Sequence, residues 1–186
     1  DLNSILFLMT PAETPEKMKA LVDQLVEFEK AVEEDVPLST VLPELYRTHQ
    51  QRYQGYTIRR LCQEMHDFYK KSNAKMYQKK LFRAETFPEK VISPQTANWE
   101  FLKNNTRLVK LDDIIGEIAL EGALPYPPGV YCVVPGERWN EIAQKYFLIL
   151  EEGINRFPGF APEIQGVYLE QEGNGVKSYG YVLDRE

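Results

Sequence analysis

With 186 residues, 43% of them hydrophobic and 27% charged, the chain has the size and make-up of a folded domain with its own core. Those proportions exclude a disordered tail and a collagen-like repeat. Twenty-two basic against twenty-eight acidic residues leave a net charge of −6, the opposite of the balance a general nucleic-acid binder carries.

Residues 4–9 (Ser-Ile-Leu-Phe-Leu-Met) form a continuous apolar run ending at Thr10-Pro11. A half-solvated strand would alternate, so the run predicts a strand buried on both faces. Its sheet neighbours must lie elsewhere. Together with a first residue that is Asp and not Met, this reads as a piece of a longer chain. Thr14-Pro15-Glu16 then opens a helix: the Thr hydroxyl caps an orphan N–H, Pro suits the first turn, and Glu suits the dipole. Met18, Leu21, Val22, Leu25, Phe28 and Val32 give it one apolar face. It should fade at Glu33-Glu34-Asp35, before Pro37.

A helix is expected over residues 40–51, with Pro43 in its first turn. Thr57 caps the next one, whose apolar face is Ile58, Leu61, Cys62, Met65, Phe68 and Tyr69. Ser72-Asn73 ends it, and another helix covers 74–84. Arg59, Arg60, Lys70, Lys71, Lys75, Lys79, Lys80 and Arg83 line this region. Without a Gly-rich phosphate loop nearby, they read as a solvated surface in preference to an anion site.

Ser93-Pro94 caps a helix to about residue 102, with Trp99 and Leu102 inward. Residues 107–111 alternate as a strand, 114–123 are ambiguous, and 130–134 read as a buried strand between Pro/Gly breaks. A strong helix is expected over 138–155, stopped by Pro158-Gly159. Two strands, 165–170 and 176–183, follow. Gly173-Asn174-Gly175 between them signals a hairpin. The whole predicts an α+β fold: a strand and helix, a helical middle, then a small mixed sheet with a C-terminal hairpin.

Little of this carries chemistry. His49 and His66 each stand alone, with no triad or zinc-site spacing. The acidic pairs 33–34, 112–113 and 151–152 are adjacent in sequence, so their side chains diverge. Cys62 and Cys132 lack a second ligand at metal spacing, and they predict buried thiols in a reducing compartment. No apolar run reaches the ~18 residues of a membrane helix, and no signal peptide is visible. The expectation is a cytoplasmic chain that binds neither membrane nor nucleic acid. The unusual stretch is Leu124-Pro125-Tyr126-Pro127-Pro128-Gly129. Three prolines stiffen the backbone around one phenol, which suits the wall of a pocket but also a tyrosine packed on its own domain.

Residues 121–139 (EGALPYPPGVYCVVPGERW) resemble the signature of the C-terminal domain of the bacterial ornithine/lysine/arginine decarboxylases, fold-type I enzymes that use pyridoxal phosphate. The resemblance extends collinearly through SILFLMTPAET (4–14), GYTIRRLCQEMHD (55–67), EEGINRFPG (151–159) and PEIQGVY (162–168). The EGALPYPPGV wording is most similar to the ornithine branch.

The resemblance implies that residues 1–36 end an aminotransferase-like small subdomain and that 37–186 form the C-terminal domain. The family's Schiff-base lysine lies in a Ser-X-His-Lys motif. Here His49 precedes Gln50 and His66 precedes Asp67. The resemblance therefore implies no catalytic residue and no cofactor in this chain, with pyridoxal phosphate held by the rest of the polypeptide. It places Tyr126, flanked by Pro125 and Pro127, at the substrate entrance of a homo-oligomer acting on an amino acid. Different readings are the C-terminal domain of a lysine or arginine decarboxylase, whose branches share the PYPPG wording, or a stand-alone assembly or nucleotide-effector module.

Overall fold

The computed structural model describes residues 5, 7–126 and 129–184. The chain divides into two compact units, residues 1–68 and 69–186.

In the first unit, helix α1 (Pro15–Glu33) starts as expected: Thr14 Oγ accepts from the Lys17 N–H, and Pro15 sits in the first turn. It ends at Glu33, and Asp35 takes the left-handed conformation at φ +57°. The Arg59 side chain donates to the carbonyls of Val32 (2.9 Å) and Glu33 at this end, placing a cation against the helix C-terminus. No residue of α1 is buried. The expected strand over 4–9 is not formed where the chain is described: Ile5 and Phe7, Leu8 and Met9 are non-strand and exposed, while Ser4 and Leu6 fall outside the described residues. A two-sided buried strand needs ladder partners on both edges, and no described strand pairs with this run.

The helix expected over 40–51 is broken into α2 (Leu38–Val41), α3 (Pro43–Thr48) and α4 (Gln50–Tyr53). Pro43 has no N–H to extend the preceding turn, so it starts a new helix. Helix α5 (Ile58–Lys71) begins after Thr57, whose hydroxyl accepts from the Arg60 N–H at 3.3 Å. Two backbone bonds, Leu38 N–H to Tyr56 O and Ile58 N–H to Val36 O, tie the start of α2 to that of α5. Leu38, Tyr53, Ile58 and Leu61 are buried.

Among the described residues the second unit holds three small sheets, all antiparallel. Strands β2 (Thr106–Lys110) and β6 (Tyr168–Glu172) flank β7 (Gly175–Leu183). The turn between β6 and β7 is Gly173-Asn174, with Gly173 at φ +58° as a two-residue hairpin requires. Asn155 clamps this hairpin, donating to Val176 O (2.9 Å) and accepting from Val176 N–H (2.7 Å). Strands β1 (Glu89–Lys90) and β4 (Glu137–Arg138) pair, as do β3 (Leu124–Tyr126) and β5 (Glu163–Gln165). Helix α6 (Ala74–Leu81) ends three residues earlier than expected.

Helix α8 (Glu141–Arg156) packs on α6 and β7. It starts three residues later than predicted, because Glu137 and Arg138 are taken up by β4. Asn140 caps it, accepting from the Ala143 N–H at 2.9 Å and donating to Thr86 O at 3.0 Å. Trp139, Phe147, Leu150, Leu111, Ile114 and Val182 form the core. Gly180 of β7 lies under Ile114, whose Cδ1 would be 2.8 Å from a Cβ there.

Three further expectations fail. Helix α7 (Pro94–Leu102) is capped by Ser93 as predicted, but Trp99 and Leu102 face solvent and Ala97 is the buried residue. The small Ala side chain lets the helix approach closely, and Phe101 packs edge-on against Tyr181 at 5.4 Å. Residues 114–123 are neither strand nor helix; they make isolated bridges at Ile118, Ala119 and Ala123. Within 130–134 only Val133 bridges, to Ala123, while Val130 and Tyr131 are exposed.

Asn140→Ala removes both the cap of α8 and the tie to Thr86. We expect a loss of about 1–2 kcal/mol, read as a lower denaturant midpoint with unchanged slope. An unchanged midpoint would show that the cap is redundant.

Candidate functional site

Leu124, Pro125 and Tyr126 form β3 and pair antiparallel with Gln165, Ile164 and Glu163. Pro125 is tolerated because this sheet has only two strands and Pro needs no outer ladder donor. Leu124 is buried, and the strand emerges from the fold so that Tyr126 is 50% exposed. Beyond it, the Gly129 N–H donates to Pro125 O at 3.2 Å and closes the turn. Gly129 adopts φ +77°, and a Cβ there would lie 2.9 Å from Tyr126 Cδ2 and 3.1 Å from Cε2. The phenol ring thus rests on the glycine. Pro127, the third residue expected at this site, falls outside the described residues.

Two features of the neighbourhood escape the sequence reading. The ring of Tyr131 occupies the space a Cβ would take on Gly122. Tyr168, on β6, donates its hydroxyl to Glu121 Oε2 at 2.7 Å and packs edge-on against Tyr181 at 5.1 Å. Tyr168 therefore braces the stretch that leads into β3. No local pattern reveals that pair, since 47 residues separate its members. The Gly129 contact was more accessible: a glycine closing a proline-rich turn signals a positive φ.

Burial pushes the Cys132 thiol up to about 12, so it is an inert core thiol and not a nucleophile. Cys62 is raised by the same cause. Among the described residues no cluster of His, Cys, Asp or Glu could hold a metal. No helix there is long and apolar enough to cross a membrane.

His49 packs edge-on against Tyr53 at 6.4 Å, and His66 is exposed on α5. The basic stretch 59–83 is partly committed. Arg59 caps α1, and Arg60 lies over the Tyr56 ring at 4.1 Å. Residues 121–134, β3 and β5 contain no lysine, and none of the described lysines is buried. These residues do not fit as holders of pyridoxal phosphate, whose Schiff base requires an enclosed lysine.

Partial desolvation first, and then the Glu121 carboxylate, raise the Tyr168 phenol from 10.0 to about 12. A folded-state value above the unfolded one means that its contribution is full below pH about 10 and is lost as pH rises towards 12. In an absorbance titration, Tyr168→Phe should delete a tyrosine that ionises near 12. Loss of an ordinary phenol step near 10 would refute the bond to Glu121.

The model of the Orn/Lys/Arg decarboxylase C-terminal domain matches residues 75–184. The inducible ornithine decarboxylase of Lactobacillus sp. (strain 30a) is 62% identical over 186 residues, all of this chain and 25% of its own length. The ornithine decarboxylase of Haemophilus influenzae is 60% identical over 184 residues, 98% of this chain and 26% of its own. Among solved structures, lysine decarboxylase A from Pseudomonas aeruginosa aligns with a TM-score of 0.86 at 26% identity, covering 95% of this chain and 24% of that one. The chain thus spans about a quarter of the length of the proteins it matches. From this match, the chain belongs to the Orn/Lys/Arg decarboxylase family and carries its C-terminal domain.

Proposed function

We propose that this chain is the C-terminal part of a cytoplasmic, homo-oligomeric ornithine decarboxylase, which converts ornithine to putrescine and carbon dioxide in polyamine synthesis. The observation that carries the substrate assignment is the 62% identity along the whole chain to an ornithine decarboxylase, against 29% and 31% to lysine decarboxylases. Residues 1–36 end the small subdomain of the aminotransferase-like core, and 37–186 form the C-terminal domain. Pyridoxal phosphate, held by the rest of the polypeptide, supplies the electron sink for loss of the carboxylate. The chain by itself, without the Schiff-base lysine, is inactive.

This chain's own part is to shape the entrance. Pro125 and Pro127 stiffen the backbone on either side of Tyr126, so the phenol is presented at low entropic cost. A half-exposed phenol on a stiff strand end can narrow the path to the reacting centre, exclude bulk water and offer a hydrogen bond to a polar substrate. A second subunit can cover the exposed side of the loop, where Tyr126, Val130 and Tyr131 all meet solvent.

The test uses the full-length gene product. Ornithine should be decarboxylated in preference to lysine and arginine. Faster turnover of either competitor would sink the substrate assignment. Tyr126→Ala should cost about tenfold in kcat/KM, roughly 1.4 kcal/mol, at an unchanged melting temperature. Wild-type kinetics in that variant would return Tyr126 to a packing role.

A further inference from the structure

We infer that Gly129 is a positioning residue for Tyr126: the glycine serves as the seat on which the phenol ring lies, so that the ring's direction, and not only its place on the chain, is set by the turn. This rests on the reading of Tyr126 as part of the entrance.

Three observations converge. The Gly129 N–H closes the turn on Pro125 O at 3.2 Å, which fixes the distance from the glycine to the strand end that carries Tyr126. Gly129 sits at φ +77°, a conformation that a residue with a Cβ adopts only with strain. The space where that Cβ would stand is filled by Cδ2 and Cε2 of Tyr126, at 2.9 and 3.1 Å. These are tighter than ordinary van der Waals contacts, so a methyl group there must move the ring. Proline stiffness alone cannot orient the phenol, because it restrains φ of the backbone and leaves χ1 and χ2 of the tyrosine free. The glycine supplies the missing restraint. Tyr131 on Gly122 repeats the arrangement a few residues away and serves as an internal reference.

The roles of backbone strain and ring displacement are separable. Gly129→Ala and Gly129→Asn both add a Cβ and must both displace the ring, yet Asn tolerates the left-handed backbone much better. Asn therefore also covers the case in which the Ala variant does not fold.

The experiment uses the full-length decarboxylase and two readouts. The first needs no activity: nitration by tetranitromethane, mapped by mass spectrometry, with the rate at Tyr126 taken relative to that at Tyr131. The two rings are alike in exposure, 50% and 53%, so their ratio reports seating rather than access. Both variants should raise the ratio by about threefold to tenfold, the rate equivalent of releasing a side chain from one rotamer. The second readout is kinetic. Each Gly129 variant should raise KM for ornithine more than it lowers kcat, and adding Gly129→Ala to Tyr126→Ala should change neither further.

An unchanged nitration ratio in both variants overturns the inference, whatever the activity. An effect in the Ala variant alone assigns the change to backbone strain and overturns it equally. Full additivity in the double variant does the same. Should nitration rise in both variants while Tyr126→Ala keeps wild-type kinetics, the seat stands and the entrance role of Tyr126 falls.

Discussion

The second unit depends on how α8 satisfies two polar side chains that it buries. Gln144 and Glu151 lie on a face that otherwise carries Ala143, Tyr146, Phe147 and Leu150. A buried amide without partners costs about 1–3 kcal/mol, and a carboxylate more. Gln144 donates to the carbonyls of Leu111 (2.8 Å) and Asp112 (2.9 Å). Glu151 accepts from the Ser178 N–H at 2.7 Å and from Lys177 Nζ at 2.9 Å. Each partner is available at one axial position of the helix only. Apolar packing alone would tolerate small slides along the axis, whereas these four bonds do not. They fix α8 against β7, and β7 in turn carries β2 and β6.

That register reaches the candidate site through aromatic contacts. Tyr181 of β7 touches Phe101 on one side and Tyr168 on the other, and Tyr168 holds Glu121 just ahead of β3. The stretch that leads into β3 is thus anchored at its base.

What was legible in the sequence was local. Thr14, Thr57 and Ser93 cap helices because a hydroxyl reaches an N–H three residues on, and that geometry depends on nothing distant. The Gly173-Asn174 hairpin is equally self-contained. The failures are tertiary. Trp99 and Ala97 both belong to α7, and only the approach of Tyr181 to Phe101 decides which face turns inward. Residues 130–134 are apolar enough for a buried strand, but Tyr131 finds its partner in the missing side chain of Gly122 instead of a ladder. The wording of the motif singles out Tyr126 and Pro125 as candidates. The Tyr168 brace was not legible, because it joins residues 47 apart in the chain, whereas the Gly129 contact is local and carries a turn signal.

The open face of α1 bears on how the chain behaves as a solute. Val22, Leu25, Val26 and Phe28 meet water along one helix, and Ile5, Leu8 and Met9 add to the apolar surface of the same unit. Such a surface favours self-association, and the net charge of −6 opposes it by long-range repulsion between like molecules. The two forces respond differently to electrolyte. Repulsion fades once the screening length falls to about 10 Å or less, while burial of apolar surface is untouched or strengthened. Added salt therefore pushes the isolated chain towards self-association, the reverse of its effect on a protein whose association is driven by ion pairs.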